Sequence, residues 1–233
     1  QVNKKTIKRA VLKILWPLLY QTKTHLISRL GYSGMGSILM FHRVCPADGR
    51  IRIQGNSGLE VTPEYLEKSI QYLIKENYEF VSLDAVYDRL QVGCDGRKFI
   101  VFTFDDGYSD NLTHAYPIFK KYGVPFTVYI ATNYPDGQLT PWWYPLEEVI
   151  LKNDCLEFQE DGEYHKFNCR TLPEKETVFH DIRALLMGGP QADLLSRVQK
   201  FFSFFNVDLR ETGQNHMLSW EQINELSKSE LVT

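Results

Sequence analysis

The stretch IVFTFDDGYSDN, residues 100–111, contains the pattern that decides the fold. Its first five residues are apolar or β-branched with no polar residue between them, which is typical of a parallel strand buried on both faces. Two adjacent acids, Asp105 and Asp106, then end the run together with Gly107. Loops at the carboxyl ends of parallel strands converge on one crevice, where functional groups collect. The stretch therefore predicts an α/β fold with a candidate site at this strand end.

The flanking segments predict further parallel strands and a crossover helix. Upstream, the apolar run Ile38–Phe41 predicts a first strand that ends at His42. Downstream, residues 111–122 predict a helix that Gly123 stops, and residues 125–132 predict another buried strand. Strand, helix and strand in this order imply parallel pairing through a right-handed crossover.

Helix starts can be placed from capping residues. Thr62 suits the N-cap of a helix with Pro63 at its first position, and Ser82 suits the cap of a second helix. Ser219 and Gln222 have the spacing of a capping box. Residues between about 133 and 217 lack a regular pattern and predict an insertion within a domain that spans residues 34–233.

Residues 1–33 form a basic, apolar-rich head. No acid precedes Asp48, whereas eight of the 26 basic residues do: Lys4, Lys5, Lys8, Arg9, Lys13, Lys23, Arg29 and Arg43. The apolar part is too short and too often interrupted by charge to span a bilayer, and Pro17 disfavours a signal peptide. An amphipathic helix in peripheral contact with anionic lipid and an ordinary packed helix both stay open. The compartment, cytoplasmic or membrane-associated in the cell envelope, is left undecided.

Composition narrows the function classes. The chain has 233 residues, 43% of them hydrophobic, and a formal net charge of -3, as expected of a globular protein that does not bind nucleic acid. Its four cysteines show no C-x-x-C pair, so neither a zinc knuckle nor a disulfide framework is predicted. Phosphate-binding and serine-nucleophile motifs are absent from the sequence.

The paired acids allow two interpretations from the residues alone. One carboxylate can bind a divalent cation while its neighbour acts as a base, since the cation removes the repulsion between them. Alternatively, the acids form a turn that caps the next helix, and Gly107 supplies an unusual backbone angle. His42 is likewise either a hydrogen-bonded rim residue or a candidate acid or ligand.

The motif FTFDDGYSDN, together with LMFHRV upstream, resembles the polysaccharide deacetylase family, the NodB-homology group of carbohydrate esterases. An apolar run ending in Phe-His before the TFDDG strand is similar to the branch of poly-N-acetylglucosamine deacetylases. The resemblance implies a distorted (β/α) barrel, incomplete at its C-terminal side, and a metal-dependent hydrolase that removes N-acetyl or O-acetyl groups from a glycan. By the same resemblance Asp105 is the general base, His42 the general acid and Asp106 a ligand of a divalent metal, most often zinc.

The chain departs from the family pattern in one respect. The resemblance implies two further metal ligands in an H-x-x-x-H motif, but no pair of histidines has that spacing among His25, His42, His114, His165, His180 and His216. We therefore expect the sequence given to be a fragment with an incomplete metal site.

Two other functions remain open at this stage. A glycoside hydrolase would need carboxylates on both sides of a sugar bond, for which neighbours in one turn are poorly placed. A non-catalytic glycan-binding relative would keep the fold without the metal. In either glycan-directed case Trp142 and Trp143 could stack on sugar rings, although tryptophans beside prolines are as often packing residues.

Overall fold

The computed structural model describes residues 11, 15, 17–19, 21–22, 34–92, 97–160, 162–209 and 216–233. Its strands are β1 (Gly36–Phe41), β2 (Arg43–Val44), β3 (Glu60–Val61), β4 (Glu79–Phe80), β5 (Phe99–Phe104), β6 (Phe126–Val128), β7 (Cys155–Glu160) and β8 (Glu163–Asn168). Its α-helices are α1 (Gln54–Ser57), α2 (Pro63–Lys75), α3 (Leu83–Val92), α4 (Tyr116–Tyr122), α5 (Trp143–Lys152), α6 (Leu172–Met187), α7 (Leu194–Ser203) and α8 (Trp220–Leu226). The predicted mixed α/β fold is confirmed.

The strand β5 is the centre of a parallel sheet. It pairs with β1 along its whole length, and on its other edge with β4 at its start and β6 at its end. Residues 231–233 continue the sheet beside β6, where Phe126 N donates to Leu231 O over 2.9 Å. Within the described ranges these strands do not close into a barrel.

Burial explains why β5 takes this central position. All six of its residues are buried, as the unbroken apolar run predicts. Phe102 and Phe104 pack edge-on against Phe119 of α4, with ring centroids 5.1 and 5.8 Å apart. Leu66 and Ile70 of α2 belong to the same core and have no exposed surface. These contacts with α2 and α4 position the end of β5, where the acidic turn begins.

Local capping signals place the helices as the sequence predicts. The Thr62 side chain accepts a hydrogen bond from Tyr65 N at the start of α2, and Pro63 occupies the first position. Ser219 and Gln222 form a complete capping box at α8. Ser82 accepts from Ala85 N at the start of α3.

Three details differ from the expectations. The strand predicted for residues 125–132 is restricted to Phe126–Val128. The helix predicted from residue 111 begins as a π-helical turn, Asn111–Ala115, before α4. The polar stretch before α6 forms an antiparallel hairpin, β7–β8, whose Leu156 and Phe158 alternate inward.

Residues 133–217 contain a second hydrophobic core. The helices α5, α6 and α7 pack around the hairpin through Leu146, Phe158, Phe179, Ile182 and Phe201, all essentially buried. A short 3₁₀ turn, Gln191–Asp193, joins α6 to α7. These helices and the hairpin therefore share a core that is distinct from that of the parallel sheet and that Ile53 also enters.

Most of the predicted amphipathic head lies outside the described residues; of the head residues that are described, 11, 15, 17–19 and 21 are helical. In the ranges described, the chain has no helix with the length and hydropathy that crossing a bilayer requires.

Candidate active site

Strand pairing brings His42 and Asp105 together. Because β1 and β5 are parallel and Phe41 is paired with Phe104, the next residue of each strand emerges at the same edge of the sheet. Asp105 N donates to Phe41 O over 2.9 Å, which extends the ladder to the acidic turn. His42 Nε2 then lies 4.0 Å from Asp105 Oδ2, with side chains 20% and 32% exposed. A solvent-accessible imidazole and carboxylate at this spacing can exchange protons with one bound group.

The turn after Asp105 is built from two left-handed residues. Asp106 has φ 72° and Gly107 has φ 78°. A Cβ on Gly107 would lie 2.9 Å from Ile130 Cδ1, and Gly107 O accepts from Leu218 N over 2.9 Å. A side chain at this position would thus be strained by the backbone angle, and the end of the Ile130 side chain would have to move.

Partial burial affects the ionisation of Asp106. Desolvation raises the pKa of the Asp106 carboxyl above its ordinary value; the nearby His42 opposes this rise and Asp105 adds to it. A carboxylate that is costly to ionise gains from a cation, because the cation replaces the solvation lost on burial.

The sequence analysis did not identify Asp110 and Asn111, which lie a few positions after the acidic turn, as site residues. Asp110, 5% exposed, accepts from Arg43 Nε over 2.7 Å and from Val44 N over 3.0 Å. Asn111 is fully buried and its Nδ2 donates to His42 O over 3.0 Å. The signal in the sequence that could have identified them is the presence of two polar residues at the start of the predicted helix, where the inward face should be apolar.

Arg43 connects the site to the insertion. Its guanidinium carbon lies 5.0 Å from the ring centroid of Tyr108 and 4.7 Å from that of Tyr144 on α5. Such cation–π contacts are strongest where water is excluded, and both tyrosines are buried. Burial also raises the pKa of the Tyr144 hydroxyl to about 12, so it stays protonated at neutral pH.

A pocket of 470 Å³ lies beside this arginine. Its wall includes His114 on the π-helical turn and His216, whose ring centroid is 5.0 Å from that of Tyr144. Burial lowers the pKa of His216, with a further contribution from Arg43. The pocket therefore presents a histidine that favours the neutral form.

The acidic turn lies within the part of the chain, residues 92–179, that is similar to a known protein family. A family model described as polysaccharide deacetylase matches residues 92–179. Residues 92–179 are therefore similar to polysaccharide deacetylases. The Bacillus subtilis (strain 168) protein YxkH, named as a polysaccharide deacetylase, is 33% identical over 94 residues, which cover 40% of this chain and 30% of YxkH. The chain therefore matches less than a third of that relative.

Solved deacetylase structures are similar to this chain only at TM-scores below 0.5. The de-N-acetylase from Aggregatibacter actinomycetemcomitans has a TM-score of 0.46 at 16% identity, covering 84% of this chain and 52% of that one. The Streptococcus pyogenes deacetylase PplD, solved with acetate, has a TM-score of 0.38 at 30% identity and covers 43% and 44%. IcaB from Ammonifex degensii has a TM-score of 0.37 at 21% identity and covers 71% of both chains.

The described residues do not complete the metal site that a deacetylase relative would need. A zinc ion takes four ligands, at least three of them from protein side chains. In the described ranges no group of three or more His, Cys, Asp or Glu side chains is arranged to hold a metal. Asp106 is accordingly the single candidate ligand to which we assign that role.

One of the two tryptophans lies close to the acidic turn, because Trp143 packs against the buried cluster of Tyr108, Tyr144 and Met217. Trp142 is 8% exposed and packs in the hydrophobic core of the insertion, and Trp143 packs against that core from α5. Both side chains make packing contacts, and stacking of either tryptophan on a sugar ring stays a prediction.

Proposed function

We propose that the protein is a glycan deacetylase, with Asp105 as general base and His42 as general acid. The observation that carries this proposal is the approach of His42 Nε2 to within 4.0 Å of Asp105 Oδ2 at the carboxyl edge of a parallel sheet. The position of Asp105 inside the region that matches the polysaccharide deacetylase family supports the same function. We further propose that this sheet is part of a distorted (β/α) barrel of the NodB type.

The proposed reaction is hydrolysis of an acetamide. Asp105 accepts a proton from the water molecule that attacks the carbonyl carbon, and a tetrahedral intermediate forms. His42 donates a proton to the nitrogen as the carbon–nitrogen bond breaks. The products are acetate and a free amine on the sugar. For an acetate ester the leaving group is an alcohol, which depends less on protonation, so His42 would contribute less.

The relationship also suggests a divalent cation, most often zinc, at Asp106. Such a cation polarises a carbonyl and lowers the pKa of bound water. Because the described residues supply one assigned ligand only, the proton transfers above are assigned to Asp105 and His42 alone.

Acetate release from N-acetylglucosamine oligomers tests the proposal. In a form that supplies the remaining metal ligands, the protein should release acetate when divalent metal is present, and Asp105→Asn should lower the rate by about 10²-fold or more, since removal of a general base typically costs this much. Asp84→Asn, on the exposed face of α3, is the matched control and should retain the wild-type rate. No release from any N- or O-acetylated glycan would favour the alternative, a non-catalytic glycan-binding relative.

We also propose that residues 1–33 contact anionic membrane surfaces. Their support is the excess of lysine and arginine among apolar residues in the sequence. The full chain should co-sediment with phosphatidylserine vesicles, and deletion of residues 1–33 should abolish this. Equal sedimentation of both proteins would show that residues 1–33 do not cause vesicle binding.

A further inference from the structure

We infer that Asp110 and Asn111 are positioning residues that hold the His42 backbone at its distance from Asp105. This inference rests on the proposed function only for its catalytic consequence, because the contacts themselves are independent of any reaction. Both residues follow the acidic turn by a few positions, so one loop would carry the proposed base and also fix the proposed acid.

The contacts surround His42 on the chain. Asn111 Nδ2 donates to His42 O over 3.0 Å. One residue further, Arg43 Nε donates to Asp110 Oδ2 over 2.7 Å, and beyond it Val44 N donates to Asp110 Oδ1 over 3.0 Å. Three consecutive residues of the β1–β2 segment are therefore bonded to two consecutive side chains of the loop after β5.

The segment needs this support because regular pairing is interrupted at His42. The β1–β5 ladder ends with Phe41, and the two-residue strand β2 pairs with β3, a strand of another sheet. A short strand pair of this kind is weakly stable by itself. Side-chain contacts from Asp110 and Asn111 take the place of the missing ladder bonds between the two sheets.

Burial makes these contacts costly to lose. Asp110 is 5% exposed and Asn111 is fully buried. A buried carbonyl without a donor loses the stabilisation of a hydrogen bond that water cannot replace. The π-helical turn that starts at Asn111 is consistent with this role, since single π-helical turns are frequent at functional sites.

Asn56 offers a closely matched control in another part of the fold. It is also buried, and its Nδ2 donates to a backbone carbonyl, Trp143 O at 2.9 Å, and to a carboxylate, Glu147 Oε2 at 2.8 Å. Asn111 Nδ2 makes the same two kinds of contact, the second to Asp110 Oδ1 at 3.3 Å. Substitutions at the two positions remove the same chemistry, but only one of them contacts His42.

A disulfide between positions 42 and 105 can report the geometry without any catalysis. Neighbouring strands lie about 4.8 Å apart, which is within the Cα–Cα range of a disulfide. The chain carrying His42→Cys and Asp105→Cys should form this bond in a glutathione redox buffer, and its equilibrium constant measures how well the two positions are held together. Peptide mapping after cleavage at Arg43 separates the new cysteine from Cys45.

We expect Asn111→Ala to lower this equilibrium constant about fivefold, as loss of one buried hydrogen bond implies, and Asn56→Ala to leave it unchanged. Asn111→Leu, which keeps about the same shape but has no donor, should behave as Asn111→Ala does and serves if the alanine variant fails to fold. An unchanged constant in a folded Asn111 variant, or an equal fall in Asn56→Ala, would overturn the inference.

Kinetics on N-acetylglucosamine oligomers separate the inference from the proposed function. With His42 and Asp105 intact, Asn111→Ala should lower kcat about tenfold with little change in KM, because misplaced reacting groups affect the transition state more than substrate binding. Asn56→Ala should change neither constant. If kcat stays unchanged in Asn111→Ala, the catalytic consequence is wrong. If the wild-type chain releases no acetate while the disulfide constant still falls, the positioning contact stands and the proposed function fails.

Discussion

Replacing Gly107 by alanine should destabilise the protein through two separable effects. The first is backbone strain, because φ 78° lies in the left-handed region that a Cβ disfavours. The second is a steric contact, since the new Cβ would lie 2.9 Å from Ile130 Cδ1. Gly123→Ala isolates the first effect, because Gly123 has φ 63° and no atom within 4 Å of an added Cβ.

The magnitudes follow from these two geometries. A left-handed alanine costs about 1–2 kcal/mol, and this should be the whole effect of Gly123→Ala. Overpacking in a buried contact adds about 1 kcal/mol or more, although rotation of the Ile130 side chain relieves part of it. We therefore expect Gly107→Ala to lower the free energy of unfolding by about 2–3 kcal/mol, roughly 1 kcal/mol more than Gly123→Ala.

Equilibrium unfolding in urea, followed by circular dichroism, measures both variants against wild type. The double substitution Gly107→Ala with Ile130→Val shortens the contacting side chain and should reduce the extra loss. If Gly107→Ala and Gly123→Ala lower the free energy of unfolding equally, the Ile130 contact has no energetic cost and the reasoning is refuted. No loss in either variant would show that the turn tolerates a Cβ in spite of its backbone angle.

Three further predictions concern charged residues. Because burial raises the pKa of Asp106, the folded state binds its proton more tightly than the unfolded state, and stability falls as pH rises from the ordinary carboxyl pKa through the raised one. Asp106→Asn should accordingly be more stable than wild type above that range and show no such gain below it, as urea unfolding at several pH values would reveal. Glu147→Gln should cost about 1–3 kcal/mol in the same assay, since Arg52 would keep Glu60 but lose its charged partner on α5, and no measurable loss would contradict the importance of that pair. Calorimetry with zinc should detect no tight stoichiometric binding by this chain, because Asp106 is the single assigned ligand in the described ranges; tight binding would contradict an incomplete site.

Elements determined by neighbouring residues could be predicted from the sequence. The start of α2 depends on Thr62 and Pro63, which act within one helical turn, and the capping box of α8 is equally local. The burial of β5 follows from its own unbroken apolar composition. The meeting of His42 with Asp105 also follows, because parallel strands of this order end at the same edge.

Contacts between distant residues could not be predicted in this way. Arg43 and Asp110 are 67 positions apart, and Arg52 and Glu147 are 95 apart, so no local pattern pairs them. The β7–β8 hairpin is a different case, since Asp161 and Gly162 form a dipeptide typical of tight hairpin turns between alternating segments. The turn residues could therefore have been recognised from the sequence, although the polar composition of the segment does not suggest buried strands.

The pairing of Arg52 with Glu147 has a consequence for protein engineering. Arg52 donates to Glu60 on β3 through both terminal nitrogens, and its Nε donates to Glu147 Oε1 on α5 over 2.9 Å. The guanidinium of Arg52 thus connects α5 to β3, the strand that pairs with β2 beside His42. Chimeras that exchange the segment containing α5 between homologous proteins should therefore keep Glu147 and Arg52 as a matched set, because Glu147 without Arg52 would bring an uncompensated charge into the interior.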